Sequence, residues 1–381
     1  MTGPLGVVVT IVLFLVVLGS LVLIHELGHF VVARLAGIRV LEFGIGFPPR
    51  ARVLRSRGET LYTLNWLPIG GFVKLEGEDG DATGDPRSFA RAKLPVKVIV
   101  LVAGVAMNLV LSLVIFTSIA WLAAPVVGVT IPSVEPGSPA DAAGLQANDA
   151  ILSVNGSRHD IFSLSEGDVI SDLHDRAGQT VTLQIVRPGG ARADVTVTLR
   201  TAAEIKDPDG SGPLRAKGAL GISAVDPKAG FPPFFSGDYR QRDLGTAIGV
   251  GTRETTRWFG IILSGLGDLA SQVVTNPTAA PPVAGPIGIA TQIADIFFGA
   301  GIVMTLYVAG ILSANLALVN ILPFPPLDGG RVLMIVLKRI FGTRISLRAE
   351  QMTYFVGFVF LFAFLIWVSG FDLLRILGGG S

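Results

Sequence analysis

The stretch from Val22 to Phe30 constrains this chain most. It contains His25-Glu26-Leu27-Gly28-His29 at the end of an apolar run, and residues 5–24 carry no charge. A helix turns once per 3.6 residues, so His25 and His29 stack on one face. Their imidazoles can hold one metal ion at ~2.0–2.1 Å. Glu26 stands beside them, where a carboxylate can take a proton from water. Ionisable groups in a membrane span are costly and turn toward an interior site. The chain must therefore enclose a polar site at membrane depth.

Half of the 381 residues are hydrophobic and only 15% are charged, which calls for several apolar spans. A net charge of +1 gives no case for nucleic acid as a partner. Cysteine is absent, which excludes disulfides and thiolate ligands. Histidine and carboxylate remain, a set that suits zinc. The N-terminus has neither a basic n-region nor a small-residue cleavage site, so it reads as a retained span. Gly378 to Ser381 read as a flexible tail without function.

The pattern predicts a polytopic α-helical membrane protein with about four spans, near residues 5–35, 98–124, 302–322 and 352–371. The loop at 37–97 carries Arg39, Arg50, Arg52, Arg55, Arg57, Lys93 and Lys97 among its cations. The positive-inside rule puts it in the cytosol and the N-terminus outside. Within it, residues 51–54 and 60–64 flank a turn at 56–59 and predict a hairpin. A second piece at 69–75 contains Gly70, Gly71, Phe72 and Val73 and is apolar on alternate residues. Such an edge either holds a peptide extended or only shields the site. Gly104-x-x-x-Asn108 in the second span predicts close helix packing, with a contribution to the site as the second reading.

Residues 127–200 are soluble in composition and β-rich, and 201–282 form a connector. The connector holds a Gly/Pro/Asp-rich loop at 207–213, an aromatic segment at 231–235 suited to the membrane interface, and a helix over 244–274. The apolar run of that helix is too short to span, which predicts an interfacial helix.

The third span ends in Asn320-Ile321-Leu322-Pro323-Phe324-Pro325-Pro326-Leu327-Asp328-Gly329. The prolines stop the helix and leave irregular backbone at membrane depth, which is tolerated only in a protein interior or cavity. Asp328 is there a natural third ligand. Two histidines and one carboxylate leave a fourth position open, the pattern of a hydrolytic zinc site. Arg331, Lys338, Arg339, Arg344 and Arg348 return the chain to the cytosol. His25, His29 and Asp328 then share one depth.

The segment 134–156 resembles a PDZ domain of the bacterial protease-associated type, with Asn148 where glycine is usual. Its groove entrance is expected near Gly128 to Ile131, with His159 and His174 as ordinary surface or turn residues. His25-Glu26-x-x-His29, Gly104-x-x-x-Asn108, Gly285-Pro286-Ile287-Gly288 and Asn320-x-x-Pro323-x-Pro325-x-Leu327-Asp328-Gly329 together resemble the site-2 protease family of intramembrane zinc metalloproteases. The closest subgroup is RseP-like, with one inserted PDZ domain here against the two of many members.

The resemblance implies His25, His29 and Asp328 as Zn2+ ligands, Glu26 as general base, and Asn320 in substrate or transition-state contact. It implies a membrane-associated β-hairpin whose edge at Gly70, Gly71, Phe72 and Val73 holds the substrate. The expected organisation is 1–126 and 283–377 as two halves of a protease core, 127–200 as the PDZ domain and 201–282 as connector. The expected substrate is a transmembrane protein pre-trimmed by another protease, in regulated intramembrane proteolysis of anti-sigma factors or remnant signal peptides. The expected place is the bacterial cytoplasmic membrane, with the PDZ domain extracytoplasmic. A membrane metal transporter is one rival, but histidine occurs nowhere else in the spans. A catalytically silent PDZ scaffold would tolerate loss of Glu26 or Asp328, and both are present.

Overall fold

The computed structural model describes residues 3–56, 58–78, 84–163, 167–205, 218–224, 231–276, 281, 283–342 and 346–377. Arg57 of the expected turn, the loop at 207–213, Arg344 and the tail at 378–381 lie outside the described residues. The chain forms two compact units, Met1–Thr117 with Gly251–Ser381, and Ser118–Val250.

The first unit opens with helix α1 (Pro4–Leu35), started by a proline in its first turn. It ends where Gly37 turns left-handed at φ 75°. The Gly37 amide then donates to Arg34 and the Ile38 amide to Ala33, closing the helix as a Schellman motif. Ile38 and Ala33 are both buried in one cluster, the apolar contact that accompanies this motif. This stop lies two turns beyond His29 and turns the chain back toward the motif.

Strands β1 (Val40–Arg55) and β2 (Leu61–Leu75) are each folded on themselves, so they pair as four extended segments. Residues 40–45 pair with 71–75 on one side, as in Phe43↔Val73 and Ile45↔Gly71. On the other side residues 42–47 pair with 61–67, as in Phe43↔Tyr62, and 62–65 pair in turn with 50–55. The spatial order is thus 71–75, 40–47, 61–67, 50–55. The 71–75 segment is an edge with no further strand beside it among the described residues.

Helix α2 (Leu94–Leu122) runs antiparallel to α1, with His29 beside Val100 and His25 beside Asn108.

The second unit holds β3 (Ala124–Thr130), β4 (Ser133–Val134), α3 (Pro139–Ala142), β5 (Ala150–Val154), β6 (Ser157–Arg158) and α4 (Val169–Asp175). After these come β7 (Thr180–Val186), β8 (Arg192–Thr198), α5 (Ala202–Ile205), β9 (Ile222–Ser223) and β10 (Pro233–Arg240). One sheet has the order β10-β3-β5-β7-β8, and β4 pairs with β9. Its core joins Ile131, Leu145, Ile151, Leu173, Leu183 and Leu220. Residues 219–223 and 231–240, read from sequence as connector, supply two strands and part of this core. Asn148 is left-handed at φ 70°, a conformation asparagine tolerates better than most residues, so the departure from glycine is conservative.

The expected groove at Gly128 to Ile131 is not there. Gly128 pairs with Phe234, Val129 pairs with Ile151 as well as Pro233, and the Ile131 amide donates to Asp149. Both edges of this strand are taken by the unit's own backbone. The aromatic segment at 231–235 runs into β10 in this sheet.

The chain continues as α6 (Leu244–Thr275), α7 (Pro286–Ile321), α8 (Asp328–Phe341) and α9 (Leu347–Leu377). Helix α7 is broken at Gly301, where φ is 80° and ψ −175°. Five described helices are long and apolar enough to cross a membrane: α1, α2, α6, α7 and α9. The sequence predicts four and keeps α6 at the interface. Exposed apolar side chains along α1, such as Val8 and Val12, and along α9, such as Phe355 and Phe362, suit contact with lipid.

Candidate metal centre

The site forms where α1, α2 and the α7–α8 junction meet inside the first unit. His25 and His29 are buried on the side of α1 that faces α2. Close approach there needs small residues. A Cβ at Gly28 would lie 2.5 Å from the Ala103 carbonyl oxygen. A Cβ at Gly104 would lie 2.7 Å from Nε2 of His25 and closer still to Nε2 of His29. Gly104 thus leaves open the space in which the two ring nitrogens converge.

Asp328 reaches them from the first residue of α8, directly after the proline-rich break. Its Oδ2 lies 3.0 Å from His25 Nε2 and 3.2 Å from His29 Nε2, and the two Nε2 atoms are 3.1 Å apart. The donor atoms form a nearly equilateral triangle. A point ~2.0–2.1 Å from all three exists ~1 Å out of their plane, which suits a small tetrahedral cation with one open position. Among the described residues this is the one group of three or more His, Cys, Asp or Glu that could hold a metal ion.

The outer nitrogens fit the same use. His29 Nδ1 donates to the Val100 carbonyl at 2.8 Å, which leaves Nε2 as a lone-pair donor. His25 Nδ1 lies 3.2 Å from Asn108 Nδ2, while Asn108 Oδ1 is buried with no hydrogen-bond partner among the described residues. Turning the amide by 180° places Oδ1 against Nδ1–H and satisfies both groups; amide oxygen and nitrogen are told apart only by such networks. Asn108 is itself held, because Ser313 on α7 donates to its carbonyl at 2.8 Å. The donor set and its outer hydrogen bonds fit Zn2+.

Glu26 is half-buried next to the histidines and makes no hydrogen bond to another described residue. Strand β2 passes beside it. A Cβ at Gly71 would lie 3.7 Å from Glu26 Cγ and 2.9 Å from the Gly44 carbonyl oxygen, and one at Gly70 would lie 3.2 Å from Val22 Cγ1. The structure therefore brings Gly70 and Gly71 to the motif helix. Phe72 lays its ring over Gly44, and Val73 packs against the cluster that holds Ala33 and Ile38. Asn320 sits on the last turn of α7, half-buried, and forms no hydrogen bond to another described residue. Asp328 also opens on an apolar cavity of about 400 Å³ between Leu101, Val105, Pro323 and Val332.

Sequence reasoning missed two supports. Val100 acts through its carbonyl, which leaves no mark in the sequence. Asp372 on α9 explains the Gly285-Pro286-Ile287-Gly288 segment. Its buried carboxylate accepts from the Gly285 and Gly288 amides at 3.2 and 2.8 Å and caps α7, and neither glycine has room for a Cβ against it.

Peptidase family M50 matches this chain over residues 13–364. The chain is 28% identical over 443 aligned positions to zinc metalloprotease RasP of Geobacillus kaustophilus (strain HTA426), covering 96% of this chain and 97% of that protein. A relative from Clostridium perfringens (strain 13 / Type A) is 31% identical, covering 96% of this chain and 98% of its own. One from Brucella suis biovar 1 (strain 1330) is 29% identical, covering 96% and 95%. Both carry the words zinc metalloprotease in their names. The chain belongs to peptidase family M50 and is a zinc metalloprotease.

Proposed function

We propose that this protein cuts peptide bonds inside the transmembrane segments of other proteins, with His25, His29 and Asp328 as the zinc ligands and Glu26 as general base. The observation that carries the reading is the donor triangle of 3.0–3.2 Å, set in apolar helices with an uncommitted carboxylate and a strand edge beside it.

A transmembrane substrate is helical and pairs its amides internally, so its scissile bond is shielded until it unwinds. The 71–75 edge offers replacement backbone hydrogen bonds to an unwound segment. Gly71 keeps that edge within reach of Glu26. Zinc, when bound, polarises the scissile carbonyl and makes the neighbouring water more acidic. Glu26 takes the proton of that water as its oxygen attacks the carbonyl carbon. It then passes the proton to the leaving amine nitrogen as the C–N bond breaks. Asn320, with its side chain uncommitted, is assigned to substrate contact. Exposed Phe47, Trp66 and Leu67 support a membrane-associated hairpin.

Helix α6 is read as interfacial. Gly251 near its start packs on Thr117, nine residues beyond Asn108 on α2. The chain re-enters at Gly285 beside Asp372, fifteen residues beyond Gly357, which packs on Pro325. Lys97 and Glu350, near the starts of α2 and α9, line one cavity, so these helices run the same way. Gly251 and Gly285 then lie on one side of the centre, which supports a stretch between them that needs no net crossing.

Residues 127–200, with strands that continue to 240, are read as an extracytoplasmic PDZ domain that turns away bulky substrates. The enzyme would then act after another protease has trimmed its substrate, with anti-sigma factors and remnant signal peptides as classes. Equal cleavage of trimmed and full-length substrate counts against that part.

The test is cleavage of a single-span peptide by purified protein in detergent, wild type beside Glu26→Gln, with zinc counted in each. Cleavage by wild type alone with zinc in both is expected. Zinc in both with equal turnover removes Glu26 from the mechanism.

A further inference from the structure

A second cavity, of about 990 Å³, opens in the first unit between the starts of α2 and α9 and the length of α8. None of His25, Glu26, His29 or Asp328 lines it. Its walls carry five cations and two carboxylates. Arg331 is paired with Glu78, and Lys338 with Glu350. Lys93, Lys97 and Arg339 remain without a carboxylate partner among the described residues. Lys97 donates to the Ala90 carbonyl at 2.7 Å and lies over the Phe89 ring, so its charge is held in position. A net excess of three positive charges among the described residues around one concavity calls for an anion.

The remaining wall says which anion. Leu94, Leu101, Ile335 and Leu347 line the same cavity, and the apolar spans of α2 and α9 start at its rim. A soluble phosphate has no use for an apolar wall. A phospholipid puts a phosphodiester among cations and its glycerol and upper acyl chains against leucines at this boundary. The volume suits a headgroup of that size. Basic pockets between helices on the cytosolic side are where anionic lipids are held. We infer that this cavity binds the headgroup of an anionic phospholipid of the cytosolic leaflet.

The site has a line to the metal centre. Helix α8 begins with Asp328 and carries Arg331, Ile335, Lys338 and Arg339 along the cavity. A bound headgroup therefore holds the helix whose first residue is a proposed ligand.

The test is native mass spectrometry of the purified full chain in detergent, titrated with phosphatidylglycerol, phosphatidylcholine or inorganic phosphate. Phosphatidylglycerol is expected to bind at least ten-fold more tightly than phosphatidylcholine. Lys93→Gln/Lys97→Gln/Arg339→Gln should weaken it roughly a hundred-fold, and Lys93→Gln or Arg339→Gln alone about five-fold each. The single changes sit at exposed positions and test the idea even if the triple variant unfolds. Arg52→Gln/Arg55→Gln removes two exposed cations elsewhere and should leave binding unchanged. Equal binding of the two lipids, equal loss in the Arg52/Arg55 variant, or undiminished binding in the triple variant overturns the inference. Inorganic phosphate that displaces the lipid at equal concentration makes this a free-phosphate site and overturns the lipid assignment.

Discussion

Gly104→Ala tests the centre most directly. The added methyl carbon lies 2.7 Å from His25 Nε2, and His29 Nε2 is nearer still. Ordinary carbon contacts lie at ~3.5–4.0 Å, so each ring must retreat by about 0.8 Å or more. The rings have little room. His29 is tied to the Val100 carbonyl and His25 to Asn108, and both are buried. The donor atoms are only 3.0–3.2 Å apart, so shifts of this size break the triangle. A misplacement near 1 Å costs on the order of 100-fold in rate, and weakened ligand support costs about 10–100-fold in metal affinity. The helix itself gains, since alanine is the better helix former by about 1 kcal/mol. The assay is zinc per chain after dialysis against a weak chelator, with cleavage of a single-span peptide alongside. Gly19→Ala is the control, because a Cβ there meets nothing within 4 Å. Loss of zinc and of cleavage in Gly104→Ala, with Gly19→Ala unchanged, is expected. Full zinc with cleavage within two-fold of wild type refutes the packing argument.

Other changes probe the supports. Asn108→Ala removes the partner of His25 Nδ1 and should lower zinc affinity about 10–100-fold while the chain stays folded, read by competition with a fluorescent chelator. Asp372→Ala strips the cap from α7 and should cost about 2–4 kcal/mol, with Asp372→Asn milder, seen as ordered losses in thermal midpoint. Asp168 caps α4 by accepting from the Ser171 amide at 2.8 Å, and Asp168→Ala should cost about 0.5–2 kcal/mol locally, measured as faster hydrogen exchange over residues 169–175. Burial pushes the Asp168 carboxyl up, but hydrogen bonds from the Ser171 hydroxyl and from backbone amides outweigh it and hold the group below the usual range. A carboxyl held low when folded stabilises fully above its unfolded value of about 3.9 and loses that effect as pH falls through the folded value. The gap between wild type and Asp168→Ala should therefore close as pH drops below about 4 and persist at pH 7.

Much of the centre could be read along the chain, because its chemistry is local. Residues four apart on a helix share a face whatever surrounds them, and an uncharged run ending in three ionisable groups has few stable uses. The proline-rich break before Asp328 and the alternation of charge between spans put distant residues at one depth without a contact being known.

Tertiary structure decided what depends on partners far apart in the chain. The fold of β1 and β2 back on themselves makes 71–75 an edge and 40–47 a centre, a choice no alternation pattern expresses. The groove expected at Gly128 to Ile131 vanished because β10, about a hundred residues later, supplies the missing backbone bonds. Asn108 looked like a helix-packing residue until His25 stood beside it. The Val100 carbonyl has no side-chain signature at all. The sequence by itself determined which groups would gather, through helical spacing and the cost of charge in lipid. Only the packed structure decided which backbone atoms and amides would orient them, because those pairings follow from three-dimensional proximity and not from any property of the residues taken in order.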